Sequence, residues 1–163
     1  MGLLITFAAS AVAQNKKQDK SPLKWFTSIA EAQKLSNETK KPIFAFFTGS
    51  DWCGWCHKLQ RNVFDKKKFV DWAKKHVILL ELDYPRNKKL TPELQQQNAE
   101  LQQVFSIPGY PTIWLFFLTD DTINKKKNIE PLGSLGYPAV SEVGKEEIAF
   151  LHTADSILNA KKK

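Results

Sequence analysis

The chain is poor in sulfur and in arginine. Its 163 residues include two cysteines, one methionine and two arginines. Two cysteines cannot build a multi-bridge disulfide scaffold, and a chain of this length can bury a hydrophobic core without one. The lone methionine is Met1, so no internal thioether is available to a haem iron. With arginine scarce, the formal charge of +7 comes from lysines. They stand in short runs at 66–68, 74–75, 125–127 and 161–163, separated by apolar stretches. That spacing reads as a solvated surface and not as a nucleic-acid face, with a mild preference for acidic partners left open.

Long apolar runs are also missing. The one at the start, Leu3 to Val12, is too short to span a bilayer as a helix. It is followed by Ala11-Val12-Ala13 before Gln14, a small-x-small pattern that matches the later part of a secretory signal, although no Lys or Arg precedes it. We therefore expect a leader at 1–13, a polar tether at 14–22 and one domain at 23–160, carried by an exported, extracytoplasmic protein with no stable membrane span in its mature chain. No internal repeat is visible.

What is present alternates between helix and strand signals. Apolar Ile29, Ala32 and Leu35 predict a helix over 28–39, which Pro42 stops. "IFAFFT" at 43–48 reads as a buried strand and is followed by a Gly49-Ser50-Asp51 turn. Helices are expected at 53–63 and 67–75, and a second buried strand at 77–84. Pro92 suits the first turn of a helix over 92–105. "TIWLFFL" at 112–118 is a third strand. Asp120-Asp121 begins a turn, "IEPLGSLGY" returns antiparallel, and a last helix covers 142–159. The class is α/β, with strands buried on both faces.

Both cysteines fall in "SDWCGWCHKL", residues 50–59. Three chemistries compete for this stretch. Haem attachment would use Cys53, Cys56 and His57, but leaves only His76 or His152 as a second axial ligand. A structural zinc site needs a second half-site, and none is recognisable. A redox dithiol fits better. Strand, turn and helix deliver Cys53 to the first turn of a helix, where unpaired amides and the helix dipole favour a thiolate. Cys56 lies three residues on, on the same helical face, as a resolving thiol should. Trp52 and Trp55 offer flat apolar surface to a partner chain, or pack into the core.

Trp52-Cys53-Gly54-Trp55-Cys56 after a buried strand, with Ile107-Pro108-Gly109-Tyr110-Pro111-Thr112 before another, resembles thioredoxin. The likeness extends to exported thioredoxin-like proteins that enter the site through Thr-Gly-Ser-Asp-Trp-Cys. It implies a thioredoxin fold: a central mixed β-sheet flanked by helices. It also implies a cis Pro111 against the dithiol, and a Tyr110 backbone that pairs with an extended substrate strand. Trp52, Gly54, Trp55, Tyr110 and Pro111 become the expected substrate contacts. The implied mechanism is disulfide exchange through Cys53 and then Cys56, with no metal, haem or nucleotide. Partners are then protein thiols and disulfides plus a redox partner that recycles the pair, and the chain acts as a monomer.

Two departures from that family stand out. Phe46 occupies the place of thioredoxin's buried aspartate, which leaves Glu81 or His57 as candidates for proton transfer. His57 reads more readily as a partly exposed helix side chain than as a catalytic group. The dipeptide between the cysteines is Gly-Trp instead of Gly-Pro, and that pair helps set a potential spanning about −270 to −120 mV across the fold. We expect a reductase. Disulfide isomerisation, or a chaperone-like binding module with an incidental dithiol, are the alternatives.

Overall fold

The structure, a computed structural model, describes residues 22–121, 126–140 and 142–160. The expected leader and nearly all of the tether lie outside these residues. In chain order the elements are β1 (Trp25–Phe26), α1 (Ile29–Thr39), β2 (Ile43–Thr48), α2 (Gly54–Leu59), a π-helical turn (Gln60–Phe64), α3 (Lys67–His76), β3 (Ile78–Asp83), α4 (Pro92–Val104), β4 (Thr112–Asp121), β5 (Lys126–Leu135) and α5 (Glu146–Ala160).

The five strands form one mixed sheet in the order β1-β3-β2-β4-β5. β1 and β2 run parallel to β3, whereas β4 runs antiparallel to both β2 and β5. All six residues of β2 are buried. Because side chains alternate along a strand, Phe44 and Phe46 supply one face and Ile43, Ala45 and Phe47 the other. The first face joins Leu79, Ile113 and Leu115 to Leu59, Phe64, Phe69 and Phe150 from the helices, and it includes both cysteines. The second joins Leu80, Leu82 and Phe116 to Ala32, Leu101 and Phe105. α4 begins on Thr91, whose hydroxyl accepts the Leu94 amide, with Pro92 in the first turn as the sequence suggests.

Four expectations need correction. β1 was not foreseen, because two residues carry no periodicity. Trp25 nonetheless packs against Phe44, Phe46 and Phe64. Asp120-Asp121 does not turn the chain. β4 runs through both, and β5 starts at Lys126, with the Lys127 ammonium 2.5 Å from Asp120 across the ladder. What read as turn residues is a cross-strand charge pair. Burial on both faces holds for β2 but not for the edge strand β5, which carries Pro131 beside the register shift at Leu115/Phe116. Finally, α5 starts at Glu146 and not at residue 142. Gly144 has φ +90° and donates its amide to the Glu146 carboxylate at 2.7 Å, which fixes the entry to the helix.

Candidate active site

The dithiol sits at the carboxyl end of β2, where open α/β sheets place their sites. β2 ends at Thr48, and the turn after it is closed by the Trp52 and Cys53 amides, both donating to the Gly49 carbonyl. Cys53 is the N-cap of α2, and its Sγ accepts the Cys56 amide at 3.2 Å. The two sulfurs are bonded, with the α-carbons 5.2 Å apart. Both residues are buried, Cys53 at 5% and Cys56 at 2% exposure, so the difference in depth is slight. Phe46 lies in the same buried cluster.

Trp52 and Trp55 take opposite roles. The Trp52 indole is half-buried and donates to the Tyr84 carbonyl at 2.8 Å. It meets the Tyr110 ring edge-on at 5.6 Å. Gly49 is required here, since a Cβ would fall 2.4 Å from the Trp52 ring. Trp55 is 56% exposed, with its ring 5.1 Å from that of Tyr137. A Cβ on Gly54 would meet nothing, so that position is open to solvent. The Tyr110–Pro111 bond is cis, and Thr112 donates its hydroxyl to the Gly109 carbonyl to tie the loop. The Tyr110 ring also lies 5.2 Å from Tyr84, and burial raises its phenol above the usual range.

The two proton-transfer candidates are placed differently. Glu81 pairs in register with Phe46 on the adjoining parallel strand, which puts it on the dithiol side of the sheet. Burial, followed by the charge of Asp83, pushes its carboxyl above the usual range, with Lys88 opposing. His57 is exposed, and its Nε2 lies 2.8 Å from the Ser50 carbonyl, so the ring is engaged with the turn.

The sequence reading missed the residues that hold this turn. Asp83 ends β3 and takes both the amide and the hydroxyl of Ser50 as well as the Lys88 ammonium. Asp51 answers from the other side, accepting the Arg86 and Asn87 amides. Those contacts hold its carboxyl below the usual range. The available signal was positional: Asp83-Tyr84 stand at the end of a buried strand next to the one that delivers the dithiol. Among the described residues, no three His, Cys, Asp or Glu side chains are grouped to hold a metal ion. No helix among them is long and apolar enough to cross a membrane.

A redox-active cysteine pair at a helix start, beside a cis-proline loop and on a mixed five-stranded sheet, defines a thioredoxin-like thiol–disulfide oxidoreductase. A family model described as a thioredoxin-like domain matches residues 29–122, and the chain belongs to that family. A disulfide bond reductase of Chlamydia pneumoniae, DsbH, is 35% identical over 115 residues, 71% of this chain and 68% of that protein. A thioredoxin-related protein of the same organism, DsbJ, is 24% identical over 156 residues. These make up 96% of this chain but 43% of DsbJ, so the chain spans less than half of that relative. Among solved structures, a DsbH oxidoreductase superposes with a TM-score of 0.69 at 27% identity, covering 98% of this chain and 95% of its own. A thioredoxin from Thermus thermophilus gives 0.57 at 15% identity, covering 83% of this chain and 87% of its own, a likeness of fold alone. In this family the cysteine pair itself carries the electrons.

Proposed function

We propose that the chain reduces disulfides of exported proteins, with Cys53 as the attacking thiol and Cys56 as the resolving one. The observation that carries this assignment is the bond from the Cys56 amide to the Cys53 sulfur. The same donor, with the positive end of α2, stabilises a thiolate at Cys53 once the pair is reduced. Cys53 thiolate attacks one sulfur of a substrate disulfide and expels the other as a thiolate, leaving a mixed disulfide. Cys56, deprotonated, then attacks the Cys53 sulfur and expels the second substrate thiolate. Two electrons pass to the substrate, and the chain is left in the disulfide form described above. A dithiol or equivalent reductant must regenerate it, so the protein works between a substrate and a recycling partner.

Trp52, Gly54, Trp55, Tyr110 and Pro111 form the substrate contact surface, with the Tyr110 backbone pairing to an extended segment. Glu81 or His57 takes the proton from Cys56. The reducing direction is supported by the 35% identity to a disulfide bond reductase. Export rests on the apolar segment and small-x-small pattern at 3–13, and is consistent with a monomeric domain that needs neither nucleic acid nor a membrane span. Trapping tests the roles: Cys56→Ser should accumulate mixed disulfides through Cys53, while Cys53→Ser should not. Trapping through Cys56 alone would reverse the assignment. The equilibrium of the pair against glutathione tests the direction, a potential near about −270 mV supporting a reductase and one near about −120 mV opposing it.

A further inference from the structure

Each tryptophan beside the dithiol carries a cation over its ring. The Arg86 guanidinium lies 3.9 Å from the Trp52 ring centre. The Lys58 ammonium lies 4.7 Å from that of Trp55 and 5.6 Å from that of Tyr137. Both cations are exposed, and neither is in an ion pair among the described residues. The neighbouring acids are differently disposed. Asp51 is occupied by the Arg86 and Asn87 amides, and Asp83 is buried against Ser50 and Lys88. Glu146, the acid lining the Trp55 groove, is buried and holds the Gly144 amide. The two cations therefore keep exposed charge beside the cysteines, whereas Asp83 and Glu146 are buried and Asp51, half-buried, is held by backbone amides; Glu142 is the exposed acid nearest the groove in sequence.

On the Trp55 side, the cation stands at the rim of a groove of about 510 Å³ between the first turn of α2 and residues 137–140, 143 and 146. Trp55, Tyr137, Pro138, Val140 and Val143 give it apolar walls, and Val143 is 97% exposed. A cation held over an aromatic face keeps its outward hydrogen-bond donors free for a carboxylate. The chain's formal charge of +7 adds long-range attraction of the same sign.

Resting on the reading that Cys53 attacks protein disulfides, we infer that this surface selects substrate segments with acidic residues on both sides of the reacting cysteine and an apolar residue for the Trp55–Tyr137 groove. Arg86 and Lys58 receive the two acids. The selection is for charge pattern and not for a particular side chain, since a guanidinium and an ammonium donate to the carboxylate of Asp or Glu alike.

The test uses the reduced full chain and disulfide-bonded peptides that differ only in having Asp/Glu, Asn/Gln or Lys beside the cysteine. Uncharged 2-hydroxyethyl disulfide serves as a reference substrate. At low ionic strength the acidic peptide should be reduced about ten-fold faster than the lysine peptide, and added salt should narrow the gap. In the Lys58→Gln/Arg86→Gln double variant the acidic-to-basic ratio should fall toward one. A ratio within one preparation is unaffected by any general change in thiol reactivity. Equal rates on all three peptides, with the reference disulfide still reduced, would overturn the selection and leave the reductase reading intact. A ratio that persists unchanged in the double variant would overturn the assignment to these two cations. Failure to reduce any disulfide, the reference included, would overturn the underlying reading itself.

Discussion

Ser50 gives the Asp83 carboxylate two hydrogen bonds, its amide to Oδ1 at 2.8 Å and its hydroxyl to Oδ2 at 2.7 Å. With Asp51 accepting from Arg86 and Asn87, two acids cross-link the turn that delivers Cys53 to the loop after β3. Asp83 is buried and paired with Lys88, so the network holds a charge largely removed from water. Hydrogen bonds to a buried charge are worth more than neutral ones. Asp83→Ala should cost about 3 kcal/mol, and Ser50→Ala about 1 kcal/mol, in urea unfolding of the oxidised protein. An Asp83→Ala midpoint equal to that of the parent would remove the cross-link from the list of stabilising features.

Gly49 governs Trp52. A methyl group at this position would fall 2.4 Å from the indole, and the ring is braced by the Tyr84 carbonyl and by Tyr110, so it cannot simply retreat. Gly49→Ala should therefore cost about 1–3 kcal/mol, as overpacking of a filled site does. The loss should be accompanied by slower disulfide reduction, because Trp52 shares the turn with Cys53. Unaltered stability together with unaltered turnover would mean that the turn yields instead.

The sequence made the core of this arrangement legible. Strong periodic or fully apolar segments declared β2, β3 and α1, and the resemblance of the Cys53–Cys56 and Pro111 motifs to thioredoxin pointed to one site. Elements whose role depends on neighbours stayed hidden. Trp25–Phe26 is a strand only because β3 lies beside it. Asp120 and Lys127 resemble loop residues until the ladder sets them opposite each other. Asp83, Arg86 and Tyr137 come to the site from elements far from the cysteines in sequence, and no local pattern marks such a convergence.

Glu81 should reveal itself in the pH dependence of stability. Its carboxyl titrates above the ordinary value of 4.5 in the folded chain, chiefly because burial disfavours the ionised form. The folded state thus binds the proton more tightly than the unfolded one. Stability falls as pH rises from about the ordinary value through the raised one, and the penalty is fully present above it. Glu81→Gln removes that penalty, so the variant should be more stable than the parent at neutral pH. The advantage should vanish below pH 4.5, where both side chains are neutral. Unfolding midpoints measured across that interval decide the point, and a constant difference at every pH would assign the effect to shape instead of charge.

Phe46 is where the dithiol departs most from thioredoxin, and its consequences can be measured. The ring is 4% exposed, perpendicular to Phe64 at 5.0 Å and 6.0 Å from Trp25, within the buried cluster that includes both cysteines. Phe46→Asp removes that packing and buries a carboxyl group, and should cost about 3–5 kcal/mol for the lost ring alone, with a further penalty at neutral pH that shrinks in acid. Phe46→Leu keeps an apolar floor and serves as the control. Between these two variants, the decay of a mixed disulfide held on Cys53 isolates the effect of an internal base. The Asp variant should release substrate faster than the Leu variant near neutral pH, where the introduced carboxyl is ionised and can take the proton, and the two should converge in acid and again as the pH approaches the ordinary thiol range of about 8.5. Glu81→Gln in the parent chain should slow the same step if Glu81 serves as the base that Phe46 does not supply. Equal decay in the Asp and Leu variants at every pH would show that proton removal from Cys56 does not limit resolution, and that the apolar floor serves packing alone.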